Sequence, residues 1–82
     1  MKKIDRLCSE LAQAHMSAAK SNVTFHNSFC TTYVEVYYNE ETKKYSVYDG
    51  DSNHLGDYGF DNAENLLAKL IKTEIVKSLN LA

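Results

Sequence analysis

Residues 33–49 read YVEVYYNEETKKYSVYD, and this stretch decides the fold. On both sides of Asn39-Glu40-Glu41-Thr42, β-branched and aromatic residues alternate with polar ones, which is typical of half-buried strands. Asn39 opens the intervening polar segment, as is common in hairpin turns. We therefore predict a hairpin whose first strand runs from Cys30 to Tyr38 and whose second runs from Lys43 to Asp49.

Turn and helix patterns surround this hairpin. Asp49-Gly50-Asp51-Ser52-Asn53 predicts a second turn, and His54 to Phe60 a third strand that its glycines place at an edge or a bulge. Apolar residues at three- and four-residue steps predict a helix from Ile4 to Ala18, which ends at Ser21-Asn22. Asp61-Asn62-Ala63-Glu64 reads as a capping box that starts a helix running toward Leu79.

The predicted fold class is α+β in one domain, residues 1–82. Each helix has one apolar stripe and the sheet has one apolar face. These apolar surfaces are buried together in a two-layer αβββα arrangement, with a three-stranded antiparallel sheet and both helices packed on one face. Val76 falls opposite the stripe of the second helix, which favours fraying near the terminus. The alternatives are a bend in the last turn, or contact of Val76 and Leu81 with a second subunit.

Strand register determines which residues face solvent. The inward set is predicted to comprise Val34, Val36 and Val47, with Tyr38 and Tyr45 at its margin. The other face then carries Tyr33, Glu35, Tyr37, Lys44, Ser46 and Tyr48. A one-residue slip would reverse the faces and bury Glu35 and Lys44, which is costly.

The acids are concentrated in the same part of the chain as the tyrosines. Residues 33–64 contain eight Asp and Glu against two Lys, a charge of −6 in a chain of net −2, so the flanks are basic at +2 each. Tyrosine beside carboxylate is the composition of a contact surface. The predicted partner-binding residues are Tyr33, Glu35, Tyr37, Glu40, Glu41, Tyr48, Asp49, Asp51 and Asp57.

The sequence contains no motif for catalysis, a cofactor or a strong metal site, and a chain of 82 residues leaves little room for a deep cleft. Asp49-Gly50-Asp51-Ser52-Asn53 begins like a calcium loop, but His54 stands where glycine is required and Phe60 where glutamate is. Cys8 and His15 share a helical face without a zinc spacing. We expect Cys8 to be a core residue and His15 to lie at the rim of the stripe.

The second helix begins with the acidic stretch Asp61-Asn62-Ala63-Glu64-Asn65, and the first turn of the sheet carries Glu40 and Glu41. In element order and length the chain resembles the double-stranded-RNA-binding domain. That family contacts phosphate through a basic cluster at the start of its second helix. Phosphate contact needs Lys or Arg, so the resemblance extends to topology and no RNA site is carried over.

The sequence favours two hypotheses about function, which belong to different classes of protein. The first is a small non-enzymatic interaction protein that binds a basic protein surface, similar in size and acidity to phage or mobile-element inhibitors such as anti-CRISPR proteins. The alternative is a nucleic-acid-binding module that uses basic helix residues: Lys2, Lys3, Arg6, Lys20, Lys69, Lys72 and Lys77. We expect a cytoplasmic monomer or weak homodimer with no cofactor, no direct nucleic-acid partner and no membrane contact.

Overall fold

The computed structural model describes residues 3–23 and 34–80, with side chains up to residue 76. Its elements are α1 (Lys3–Lys20), β1 (Glu35–Asn39), β2 (Lys44–Tyr48), β3 (His54–Tyr58) and α2 (Phe60–Asn80). The strands form an antiparallel sheet in the order β1-β2-β3, and both helices pack against it. The predicted α+β architecture is confirmed, and the part of the predicted first strand at residues 30–33 lies outside the described residues.

The end of α1 depends on Asn22. Its φ of 55° is left-handed, the Val23 amide donates to the Ala18 carbonyl at 2.9 Å, and the Asn22 amide donates to Ala19 at 3.1 Å. This pair of bonds is the motif that glycine usually provides at a helix C-terminus, and asparagine tolerates its backbone better than most residues. The predicted stop at Ser21-Asn22 is confirmed.

The buried face of α1 is wider than one stripe because the helix contacts both α2 and β1. Cys8 is 1% exposed, as expected of a core residue, and Met16 is also 1% exposed. His15 is 6% exposed, so its predicted place at the rim is wrong. The buried arc extends beyond one side of the predicted stripe to include Ala12, Met16 and Ala19, so His15 lies inside it.

The start of α2 differs from the prediction. The Ala63 amide donates to the Gly59 carbonyl at 2.9 Å, which makes Gly59 the N-cap. The predicted capping box is therefore wrong: Asp61 lies inside the first turn, where its charge still suits the helix dipole. The Glu64 carboxylate instead accepts from a glutamine of α1 at 3.2 Å.

The register of the first hairpin follows the prediction. Val36 pairs with Val47 and Tyr38 with Tyr45 on the helix side, while Glu35 pairs with Tyr48 and Tyr37 with Ser46 on the other side. Tyr45 is 3% exposed and lies in the core, so its predicted marginal position is wrong. The reason is that β2 is the central strand, with a neighbour on each side and α2 across its inner face.

β3 is a bulged edge strand, as its glycines predicted. Val47 and Tyr48 are consecutive in β2, but they pair with Gly56 and His54, so Leu55 is an extra residue. Leu55 packs against the core. The alternation of inward- and outward-facing residues is therefore interrupted in β3.

The core lies between the helices and the inner face of the sheet. Its buried members in the described part of the chain are Cys8, Leu11, Ala12, Met16, Val34, Tyr45, Val47, Ala63, Leu67, Ile71 and Ile75. Val76 is 37% exposed, which confirms that it lies off the stripe. α2 is helical through Asn80, and residues 81–82 lie outside the described ones, so fraying near the terminus stays a prediction.

Candidate functional site: the open face of the sheet

The face of the sheet turned away from the helices, here called the open face, carries polar and aromatic side chains from all three strands. They are Glu35, Tyr37, Lys44, Ser46, Tyr48, His54 and Asp57. Tyr37 is 58% exposed, whereas Tyr45 on the helix side of the sheet is 3% exposed. The open face therefore presents an aromatic surface to solvent.

Three rings cross the open face, one from each strand. The Tyr37 and Tyr48 rings are 5.6 Å apart at 84°, an edge-to-face arrangement. The Tyr48 ring lies 5.0 Å from the His54 ring at 40°. Tyr48 is thus held between two neighbours, while Tyr37 stands at the outer end of the row.

Glu35 is bound to this row through Tyr37. The Tyr37 hydroxyl donates to Glu35 Oε2 at 3.2 Å. This hydrogen bond, together with the negative charge of Glu35, raises the pKa of Tyr37 because both disfavour the phenolate. Tyr37 therefore remains a neutral donor at physiological pH, and the carboxylate beside it keeps a second oxygen that this bond does not use.

Asp57 is the shared acceptor of a second cluster. Its Oδ1 accepts a hydrogen bond from the Ser46 hydroxyl and lies 3.1 Å from His54 Nε2. The Ser46 bond, and then the His54 bond, lower the pKa of Asp57 because they favour the charged carboxylate. Asp57 is therefore ionised and fixed in orientation at neutral pH.

This serine, histidine and aspartate do not have the order that activates a nucleophile. In a catalytic triad the histidine lies between the other two and takes the serine proton. Here the aspartate lies between them, and its lowered pKa makes it a weak base for Ser46. The cluster orders side chains and fixes charge on the open face.

The carboxylate of Asp49 organises the second turn. Its Oδ1 accepts from the amides of Asp51 and Asn53, both at 2.9 Å, and its Oδ2 accepts from Asn53 Nδ2 at 3.1 Å. These bonds, those from Asn53 first, lower the pKa of Asp49. The segment that begins like a calcium loop is therefore a turn. The described residues hold no group of three potential metal ligands.

Glu40 and Glu41 lie on the first turn, which is equally well ordered. Asn39 Oδ1 accepts from the amides of Glu41 at 2.9 Å and Thr42 at 3.3 Å. The turn closes through the Lys43 amide, which donates to the Asn39 carbonyl at 2.8 Å. Because five-residue β2 separates the two turns, their acids lie roughly 15 Å apart, at opposite ends of the sheet.

The structure divides the predicted site into three groups. Glu35, Tyr37, Tyr48 and Asp57 share the open face; Glu40 and Glu41 lie at one end of the sheet; Asp49 and Asp51 lie at the other. Tyr33 lies outside the described residues. Sequence reasoning missed His54, because the bulge breaks the alternation that would have placed it beside Asp57 and Tyr48.

Several basic side chains of the helices have partners within the fold. Lys72 Nζ lies 2.6 Å from Asp5 Oδ1, and this contact raises the pKa of Lys72. Arg6 Nε lies 3.9 Å from Glu10 Oε1. Lys20 Nζ lies 5.2 Å from the centroid of the Tyr38 ring. Three of the seven predicted basic residues therefore have partners within the fold, and the side chains of Lys2 and Lys77 lie outside the described ones.

Comparison with protein-family models, with curated proteins and with solved structures finds no match to this chain. Over the residues that the structure describes, neither helix combines the length and apolarity needed to cross a membrane. The fold and the open face together define a small α+β domain with an ordered, acidic and aromatic surface.

Proposed function

We propose that this chain is a small non-enzymatic interaction protein that binds a basic protein surface through the open face and its two acidic turns. The observation that supports this most directly is the exposure of Tyr37, at 58%, beside the Glu35 carboxylate. Tyrosine adds contact area with little loss of side-chain freedom, and the carboxylate adds charge selectivity.

The order of the surface suits binding. In both turns backbone amides donate to a side-chain oxygen, of Asn39 in the first and of Asp49 in the second, and Ser46 donates to Asp57. Groups fixed before binding lose less entropy on association, and an acidic surface attracts a basic partner over a distance. We propose that the partner is a nucleic-acid-binding protein, blocked sterically and electrostatically by a cytoplasmic monomer or weak homodimer.

The inhibitor class proposed is the phage or mobile-element type to which anti-CRISPR proteins belong. Carboxylates at fixed positions along a sheet can stand where phosphates would bind on the partner. Competition is therefore the expected mode: the captured partner should bind either this chain or its nucleic acid, and saturating nucleic acid should displace the chain.

Charge neutralisation on the turns tests the proposal. A partner captured from the source cell should bind the triple variant Glu40→Gln, Glu41→Gln, Asp51→Asn at least about tenfold more weakly at low salt, as expected for lost steering and contact charge. Asp49 is left unchanged because it holds its turn. Affinity can be measured by isothermal titration calorimetry.

The matched control carries the same change of +3 on the helices: Ser17→Lys, Asn65→Lys, Thr73→Lys, all at exposed positions. It should weaken binding by less than the turn variant, because those residues lie away from the proposed surface. Equal losses would contradict the acidic-surface proposal. Binding of duplex or single-stranded nucleic acid by the chain alone at micromolar concentration would favour the alternative module.

A further inference from the structure

The right-angled pair of tyrosines on the open face forms a corner. The planes of the Tyr37 and Tyr48 rings meet at 84° with centroids 5.6 Å apart, and Tyr37, at 58% exposed, is the wall that is open to solvent. Glu35 Oε2 accepts from the hydroxyl of Tyr37, which places a carboxylate at the rim of the same corner. Aromatic faces and a carboxylate are the groups that attract an organic cation.

The corner is fixed before any ligand arrives. Tyr48 packs against the His54 ring at 5.0 Å, and His54 Nε2 is held by Asp57 at 3.1 Å. Tyr37 is tied to Glu35. Both walls therefore have a neighbour that limits their rotation, which lowers the entropy lost on binding.

The charge around the corner also favours a cation. Among the described strand residues of the open face, Lys44 is the basic one, and its charge acts on Asp57. Lys44 pairs with Asn39, four residues along β1 from Glu35, a separation of about 13 Å. That separation exceeds a Debye length at physiological salt, so Glu35 keeps most of its attraction for an incoming cation.

We propose that Tyr37, Tyr48 and Glu35 form a seat for an arginine side chain of the basic partner, an inference that rests on the proposed function. A guanidinium is planar, so it stacks on an aromatic wall while it donates to a carboxylate from its edge. A lysine ammonium is strongly hydrated and lacks the planar fork, so it should bind at the corner with lower affinity. The seat therefore prefers arginine to lysine at equal charge.

Two peptides of equal charge, nona-arginine and nona-lysine, test this preference with the intact chain at low salt. Nona-arginine should bind about fivefold more tightly, as expected for one exposed cation–π contact, and should shift the NMR signals of residues 35–37 and 48. Tyr37→Leu should weaken nona-arginine binding more than nona-lysine binding, and so bring the ratio of the two affinities close to one. Tyr37→Phe keeps the ring and should retain the preference.

Tyr38→Leu is the matched control, because Tyr38 lies on the helix side and its ring already faces Lys20 at 5.2 Å. It should retain the wild-type ratio. Equal binding of the two peptides by the wild type, or an unchanged ratio in Tyr37→Leu, would overturn the arginine seat and leave the acidic-surface proposal standing. Failure of both peptides to bind at low salt would overturn both proposals.

Discussion

Gly56 occupies a backbone conformation that other residues rarely adopt. Its φ is 141°, and a Cβ placed there would lie 2.6 Å from the Tyr58 hydroxyl oxygen and 2.8 Å from the ring carbon that bears it. The Tyr58 ring has little freedom to move aside, since its hydroxyl donates to the Leu55 carbonyl at 2.8 Å. Gly56→Ala should therefore lower the free energy of unfolding by about 1–3 kcal/mol, measured by urea denaturation.

Gly59→Ala is the control for this substitution. A Cβ at Gly59 meets no atom within 4 Å. Gly59 is the N-cap of α2, where alanine is somewhat less favourable than glycine, so a loss of up to about 1 kcal/mol is expected. If the two variants lost the same stability, the account of the bulge at Gly56 would be wrong.

Individual residue roles were only partly predictable from the sequence. The turn at Asp49 was predicted from residue types, but the engagement of both its carboxylate oxygens depends on the backbone path of the turn. His54 was missed because period-two alternation assumes a regular strand. Gly56 allows the backbone conformation of the bulge. The presence of a glycine does not by itself predict on which face of the sheet the neighbouring side chains lie.

At the scale of the helix, α2 offers two apolar residues with opposite roles. Leu67 is fully buried against the sheet and α1, whereas Val76 is 37% exposed. Leu67→Ala should cost about 3 kcal/mol through lost transfer free energy and a cavity. A domain of this size has a stability of only about 5–10 kcal/mol, so the midpoint of thermal unfolding should fall clearly.

Val76→Ala on the same helix provides the comparison. It removes methyl groups from a side chain that is already partly hydrated, so its cost should stay within about 0.5 kcal/mol. A loss at Val76 as large as the loss at Leu67 would indicate that the outer side of α2 is covered in solution. In that event the weak-homodimer expectation would gain support, and stability would rise with protein concentration.

Elements were predicted better than their ends or neighbours. The sheet register could be predicted because the opposite register would bury Glu35 and Lys44, a large penalty that a short sequence window already reveals. The burial of His15 could not be predicted from the sequence, because it depends on the packing of α1 against both α2 and β1. The N-cap of α2 also escaped prediction, because Gly59 caps through its carbonyl and leaves no side-chain signature.

For the whole molecule, acids outnumber lysines on the sheet and its turns, while most of the basic residues lie on the helices. Acids lie on the open face and at both ends of the sheet, while Lys72 and Arg6 pair with acids of α1. These exposed pairs contribute little stability. The uneven charge therefore adds little stability, and it gives the sheet and its turns a net negative charge on which the proposed binding of a basic partner depends.

Acid should destabilise the molecule through the two fixed aspartates. Hydrogen bonds lower the pKa of Asp49 and Asp57 in the folded state. A depressed folded pKa adds stability that is present above the unfolded value, about 3.9, and is lost as pH falls through the folded value. Urea denaturation of Asp49→Asn/Asp57→Asn should therefore show a shallower loss of unfolding free energy between pH 5 and pH 2 than the wild type.

The control for the acid prediction is Glu40→Gln/Glu41→Gln, which changes the net charge equally at positions away from the hydrogen bonds of the two aspartates. It should keep a slope close to that of the wild type. If the aspartate variant kept the full wild-type slope, Asp49 and Asp57 would not be the groups whose protonation loosens the fold. Their hydrogen bonds would then not hold the turn and the open face in the proposed binding geometry.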